Sequence, residues 1–345
     1  MSSFPSALPS ARTPDPMAAP VLRWGVLGSG WIADRFNGSL QRHTRQQILA
    51  VGSRDAGRSV AFAARHGVPR SYGAYAALVA DPDIDVVYVA TPHTEHLPCA
   101  RLALEANKPA LVEKPLGLNA SQAMKIARLA ASQRLFCMEA LWTFFLPKFD
   151  IVRQILDSGG LGEVRTVLAD MGEHFTAEHR IMRADLAGGP LLDLGTYPVA
   201  LATWVLGAPE RILAAGQPHP AGVNGQAAAI LRDAQGNQAV VHTTLSANTP
   251  TTATIAGTEG TLRLSGPFYQ PGDLQMTAAD GGRRLTFTEP LVAHDALHFE
   301  GAEVARCIAA GRVESPVRPL ADSVITLRAL DEIRRQCAIT FPGES

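Results

Sequence analysis

Cysteine is scarce. Cys99, Cys137, Cys307 and Cys337 are the four in 345 residues, far apart and without a CxxC pair. That excludes a disulfide framework or a thiolate zinc cluster, and leaves free thiols, buried or half-buried, in a reducing compartment. A surplus of either charge is missing too. Lys and Arg number 31 against 32 Asp and Glu, a formal net charge of −1. Nucleic-acid binding marks a domain with a basic face, and no long run of Lys and Arg occurs, so small and roughly neutral partners are expected. No window reaches the ~18 consecutive apolar residues of a membrane span. The opening MSSFPSALPSARTPDPMAAP has neither a basic start nor an unbroken apolar stretch, which argues against a secretory signal. Its Ser, Pro and Ala predict a disordered extension over 1–20, with Met17 a candidate start. The expected setting is cytoplasmic, with no membrane and no nucleic-acid partner.

What is present suffices for two domains. Hydrophobic residues make up 46% and charged residues 18%, and a domain usually takes ~100–200 residues. From Val21 to about Met138, apolar runs (VLRWGVLG, QILAVGSR, DVVYVATP, PALVEKP, RLFCMEA) alternate with helical stretches such as HLPCARLALEAN. Alternation of this kind predicts a parallel sheet with helices on both faces, and VVYVA is apolar throughout, as a strand buried on both sides should be. After Trp142 come one helix, FDIVRQILDSG, and then close-set β-like stretches from VRTVLADMG to RRLTFTE with turn signals between some of them. The tail returns to helix. The fold class is therefore α/β: a doubly wound parallel sheet over 21–142, then an α+β domain over 143–345 with a mainly antiparallel open sheet.

The first strand runs straight into Gly28–Ser29–Gly30–Trp31–Ile32–Ala33 and a helix. This is the GxGxxA arrangement in its required context. The first glycine makes the tight turn, the second lets backbone approach a pyrophosphate, and a small third residue lets helix meet strand. The helix N-terminus then offers unpaired N–H groups to phosphate. About twenty residues on, the second strand ends in Ser53 and Arg54, where an Asp or Glu would select NAD by bonding the ribose 2′-hydroxyl. A hydroxyl and a guanidinium suit a 2′-phosphate, so NADP(H) is preferred and NAD(H) is the alternative. Asp55 weakens that attraction, and a solvated surface charge is the other reading of Arg54.

The third and fourth apolar runs stop at Ala90–Thr91–Pro92 and at Val112–Glu113–Lys114–Pro115. Both stops fall where ligands of open α/β sheets bind. GxGxxA, SRD, ATPHTEH and ALEANKPALVEKPL, taken in order, resemble the glucose–fructose oxidoreductase, inositol dehydrogenase and rhizopine-catabolism (Gfo/Idh/MocA) family of NAD(P)-dependent oxidoreductases. MEALWTFFLP, AGGPLLDLGTYPVALATWVLG and ARCIAAGRVESPVRPLADSVITLRALDEIR are similar to its branch of dimeric dihydrodiol dehydrogenases and NADP-dependent xylose dehydrogenases. The resemblance covers almost the whole chain after Pro20. It implies a Rossmann domain followed by a substrate and oligomerisation domain. It also implies a catalytic Lys114 and Tyr197, an acidic partner at Asp193, and Trp142 lining the substrate pocket. His96 is placed near nicotinamide and substrate. A homodimer or homotetramer through the second sheet is implied as well.

The chemistry suits these residue types. Carbonyl reduction needs a proton at oxygen, and tyrosine serves if its pKa, ~10 when unperturbed, is lowered by a nearby ammonium. Tyr197 is thus expected as general acid/base, with Lys114 holding it and contacting the nicotinamide ribose, and Asp193 orienting Lys114 or the substrate. A helix cap is the other reading of Asp193. Thr91, Pro92, His93, His96 and Glu113 join the expected cofactor-binding set with Gly28, Gly30, Trp31, Ile32, Ala33, Ser53 and Arg54. His96, Trp142, Phe175 and Tyr197 form the expected substrate wall. Glu173 and His174 are candidates to reach the pocket, Arg180 and Arg183 to meet an anionic or sugar substrate. His93 and His96 lack a third ligand at metal spacing, so no metal is expected. The expected reaction is hydride exchange with the hydroxyl or carbonyl carbon of a small polyol, aldose, dihydrodiol or dicarbonyl. An aldose oxidoreductase with tightly held cofactor and a non-catalytic NADP-binding sensor are the alternatives.

Overall fold

The structure is a computed structural model that describes residues 4–290 and 292–342. Its chain separates into two compact units that interleave in sequence. Pro14–Phe145 and Ala293–Val324 make one; Leu146–Val292 with pieces from both chain ends makes the other. The expected cut after Trp142 lies close to the first crossing, but the expectation of two uninterrupted segments is corrected by the tail, which returns to the first unit.

In the first unit, β1 (Arg23–Leu27), β2 (Gln47–Gly52), β3 (Arg70–Tyr72), β4 (Val86–Val89), β5 (Ala110–Glu113) and β6 (Cys137–Ala140) form a sheet in the order β3-β2-β1-β4-β5-β6. Each neighbouring pair is parallel. Helices α1 (Trp31–His43), α2 (Ala56–His66), α3 (Tyr75–Val79), α4 (His96–Glu105) and α5 (Ala120–Gln133) connect them. The order reverses between β1 and β4, which opens a crevice at the carboxyl edge of the sheet. Every residue of β4, β5 and β6 is buried, as a sheet covered on both faces requires.

The second unit holds α6 (Pro147–Asp157), β7 (Val164–Gly172), α7 (Pro190–Asp193), α8 (Thr196–Leu206), β8 (Arg211–Pro218), β9 (Asn224–Arg232), β10 (Gln238–Thr244), β11 (Ala253–Gly257), β12 (Gly260–Leu264), β13 (Leu274–Ala278) and β14 (Arg284–Phe287). Its sheet runs β14-β13-β12-β11-β7-β10-β9-β8, antiparallel except where β7 meets β10. β8 was not anticipated; RILAAGQP carries too many small residues to announce a strand. The stretch TTATIAGTEGTLRLSG is a hairpin of β11 and β12. α8 covers one face of the sheet and is apolar nearly all round, with Thr196–Thr203 buried without a break.

The tail supplies α9 (His298–Ala309) and α10 (Leu320–Gln336). α9 and the loop before α10 furnish the first unit with a buried polar knot. Glu139 of β6 accepts hydrogen bonds from Arg318 Nε at 3.1 Å and Nη2 at 2.9 Å, and from Ser323 Oγ at 2.6 Å. Its other oxygen accepts the Leu116 N–H at 3.0 Å. Glu300 of α9, fully buried, has no hydrogen-bond partner for either carboxyl oxygen among the described residues. Burial first, then the charges of Glu113 and Glu139, hold its carboxyl well above the usual range.

Residues 4–20 differ from the expected disordered extension. Phe4 is buried against Gly260, and Arg12 pairs with Asp150 at 3.1 Å. Asp15 caps a 3-10 turn at Pro16–Ala18 through the Met17 N–H. Ala19 packs on Ala302 and Ala305, two small residues of α9 that leave room for it. Proline makes such a tract stiff rather than loose, since φ is already fixed. No helix among the described residues is long and apolar enough to cross a membrane.

Candidate active site

β1 ends in a turn only glycine can make. Gly28 sits at φ 104°, and a Cβ there would lie 2.4 Å from the Ala90 carbonyl oxygen. Gly30 is different: a Cβ on it would meet nothing within 4 Å. The protein itself does not require Gly30 to be glycine, so the space in front of it is a cradle that a side chain would fill. Gly30 is the N-cap of α1 and no side chain caps it, so the first N–H groups, at Trp31, Ile32 and Ala33, face the same space. Ala33 is fully buried where helix meets strand. The residues present therefore fit a pyrophosphate.

At the end of β2, Ser53 is buried and its Oγ accepts the Asp55 N–H at 3.2 Å. Asp55 is the N-cap of α2, accepting from Arg58 N. Arg54 is 63% exposed and pairs with Glu95 at 3.2 Å. Arg58 lies one helical turn further on and was missed. The Tyr75 phenol, whose pKa is raised chiefly by burial, feels both Arg54 and Arg58. Two guanidiniums thus flank one spot at the end of β2.

β4 and β5 end in the two loops expected to carry chemistry. His96 is fully buried, with Nδ1 at 2.7 Å from the Pro115 carbonyl and Nε2 at 3.0 Å from the Thr91 carbonyl. It ties the loop after β4 to the loop after β5. His93 is buried beside it, ring edge to ring face at 5.6 Å. Thr91 is buried, and Pro92 precedes the 3-10 turn at His93–Glu95. Glu113 also turns inward. Its carboxylate accepts from the Tyr88 hydroxyl and from the Lys114 N–H at 3.2 Å, which fixes the backbone at Lys114. Lys114 is half-buried and precedes a cis proline. Trp142 is 2% exposed in the 3-10 turn after β6.

The second unit gathers its own candidates. Asp193 ends α7, 7% exposed, and pairs with Arg180 at 3.0 Å. Gly195, at the N-cap of α8, makes no side-chain cap. A Cβ on Gly195 would fall 2.6 Å from the Leu191 carbonyl, which explains the glycine in LLDLGTYP. Tyr197, 6% exposed, follows in the first turn of α8. Its ring lies on Tyr269, centroids 4.4 Å apart at 30°. Tyr269 was not foreseen. Burial raises its phenol, and the Glu173 charge adds to the rise. The Glu173 carboxyl is itself raised, first by partial burial and then by Asp193. Phe175 stacks on His179 at 4.5 Å, and burial followed by Arg180 lowers the His179 pKa. Glu173, Phe175, His179, Arg180, Asp193, Tyr197 and Tyr269 form one connected cluster. Two sequence candidates stand apart from it in their bonding. His174 donates its backbone N–H to Asn248 Oδ1 at 2.9 Å, and Arg183 pairs with Asp185 at 2.6 Å.

With this geometry in hand, comparison with known proteins is decisive. Residues 22–141 match the family described as "Oxidoreductase family, NAD-binding Rossmann fold", and residues 149–263 match the GFO/IDH/MocA C-terminal domain. The chain is 35% identical over 335 residues to trans-1,2-dihydrobenzene-1,2-diol dehydrogenase of Bos taurus, covering 94% of this chain and 99% of that one. The chain belongs to the GFO/IDH/MocA oxidoreductase family. The Homo sapiens protein of the same name is 34% identical over 334 residues, with the same two shares. Among solved members, a 3-ketoreductase from Actinomadura kijaniata, in complex with NADP and TDP-benzene, superposes with a TM-score of 0.80 at 27% identity, over 92% of this chain and 98% of that one. The family's NAD-binding Rossmann fold accounts for the glycine turn and the order of the parallel sheet, and its second domain for the antiparallel one. This chain is an oxidoreductase with a nucleotide-binding unit.

Proposed function

We propose that this protein is an NADP(H)-dependent dehydrogenase that interconverts a hydroxyl and a carbonyl on a small vicinal diol, of the kind named for its trans-dihydrodiol dehydrogenase relatives. The observation that carries the reading is the open cradle at Gly30 on the same sheet edge where β5 runs out into Lys114. When bound, the nicotinamide ring supplies or accepts the hydride. Tyr197 gives the carbonyl oxygen its proton, or takes it in the reverse direction. Its ring is fixed by the stack on Tyr269, so the hydroxyl is presented without a search over rotamers. Lys114, held by Glu113 through its own N–H, donates hydrogen bonds from its ammonium to the reacting oxygen and the neighbouring ribose. Asp193 and Arg180 together set the charge beside Tyr197. Trp142 and Phe175 supply apolar walls.

Arg54 and Arg58 support NADP(H). Guanidiniums bind phosphate oxygens by charge-assisted bonds worth ~1.5–3 kcal/mol each, and a 2′-hydroxyl offers no such partner. NADPH is expected to bind about tenfold or more tighter than NADH in a fluorescence titration. The double variant Arg54→Ala/Arg58→Ala should erase the difference. Equal affinity of the wild-type protein for both dinucleotides contradicts the assignment.

The second sheet supports a homodimer or homotetramer. Leu213, Ile230, Val240 and Leu168 stand directly opposite one another across β8, β9, β10 and β7. They are 52%, 40%, 41% and 47% exposed, an apolar row on the uncovered face. Such a row is a contact surface rather than a solvated one. Ile230→Asp should convert the protein to a 36.7 kDa monomer in sedimentation; a wild-type protein that already sediments as a monomer removes the proposal.

A further inference from the structure

His294 reaches the parallel-sheet unit from far along the chain, in the turn Ala293–Leu297 that leads into α9. Its ring meets Trp31 edge-on at 4.7 Å and lies against Trp142 at 5.3 Å and 30°. Trp31 is the first residue of α1, next to the glycine cradle, and Trp142 follows β6. In the sheet β4 and β5 lie between the strands that lead to these two indoles. One imidazole therefore bridges indoles at the carboxyl edge on either side of the strand that runs out into Lys114.

Three further observations make this ring a binding group. Among the described residues no hydrogen bond is made by either ring nitrogen of His294, although the residue is half-buried. The charges that act on it are Arg35 and Lys114, both cations. Burial, followed by those two, pushes its pKa down to about 4, so the ring is neutral near pH 7. A neutral imidazole donates one hydrogen bond and accepts one, which matches a hydroxyl and offers nothing special to a phosphate. Two indoles remove most of its freedom of movement in advance of binding.

We propose that His294 is a specificity-determining residue that hydrogen-bonds the second hydroxyl of the substrate, the one vicinal to the reacting carbon. The inference rests on the proposed function and names the residue that reads the second hydroxyl. Molecules with two adjacent oxygens gain the His294 contact, and simple alcohols of the same shape do not.

The test compares a trans-1,2-diol with the mono-alcohol of the same carbon ring, both with NADP+. The wild-type enzyme should prefer the diol in kcat/KM. His294→Leu should lower the diol-to-alcohol ratio about tenfold or more, mostly through KM for the diol, because a site built for a hydroxyl discriminates by that bond. His294→Asn, which keeps a donor and an acceptor, should recover part of the ratio. An equal loss on both substrates marks His294 as structural and overturns the inference, as does a weakened NADPH affinity with the ratio intact. A wild-type protein that turns over neither alcohol overturns the proposed function and this inference with it. Turnover with an unchanged ratio in His294→Leu overturns the inference alone.

Discussion

Tyr197→Phe should lower kcat about 10²-fold or more while NADPH affinity stays nearly unchanged. Proton transfer by a positioned side chain contributes ~10²–10⁴-fold, and the phenol oxygen is all that this substitution removes. The ring itself stays, with its 4.4 Å stack on Tyr269 and its place in the first turn of α8. Folding and substrate packing are therefore preserved, and the loss falls on the chemical step. Lys114→Met should behave differently. It removes hydrogen bonds to both the reacting oxygen and the ribose, so kcat falls by a comparable factor and cofactor affinity weakens with it. Steady-state rates and a fluorescence titration on each variant separate the two patterns. Full turnover in Tyr197→Phe contradicts the role given to its hydroxyl.

Arg318→Ala should destabilise the protein by about 3–5 kcal/mol, the usual penalty for breaking a buried ion pair and leaving one charge behind. Arg318 and Glu139 are 0% and 1% exposed, and the guanidinium gives Glu139 two hydrogen bonds. Without it, the Glu139 carboxylate is left in a low-dielectric interior beside Glu300 and Glu113. At roughly 2–4 °C per kcal/mol for a unit of this size, the melting temperature should drop on the order of 10 °C. The double change Glu139→Met/Arg318→Met should recover much of this, since a buried pair is often replaceable by apolar side chains. The loss also bears on activity. Glu139 holds the Leu116 N–H, two residues beyond Lys114, so surviving Arg318→Ala enzyme should show a raised KM. A loss below ~1 kcal/mol in denaturant unfolding counts against the knot as a support.

Local pattern made much of this fold legible. The alternation of buried strands with helices, the Gly28 and Gly30 turn and the stops after β4 and β5 are short-range features, and the parallel sheet follows them. The dinucleotide cradle is legible because both glycines and Ala33 lie within six residues. Residue type alone does not show which partners a side chain meets once the strands are adjacent. The sequence does not show that His96 also spans the Thr91 and Pro115 carbonyls, or that Glu113 takes the Tyr88 hydroxyl and the Lys114 N–H, because these contacts depend on strands and loops made adjacent by the fold. Tyr269 and His294 were illegible because each enters its site from a segment some seventy or more residues away from the motif it joins. Arg58 carried a signal that was overlooked, a second cation one helical turn beyond Arg54. Pro-rich residues 4–20 read as loose, but Phe4 and Ala19 are buried by partners distant in sequence.

The central claim is that a hydride passes between the substrate carbon and nicotinamide, and isotope transfer tests it most directly. A trans-1,2-diol carrying deuterium on both carbinol carbons, oxidised with NADP+ and the wild-type protein, should give one deuterium per molecule of NADPH at the nicotinamide ring; the second deuterium, left beside the new carbonyl, is free to exchange with water by enolisation. NADPH that forms without the label contradicts the account.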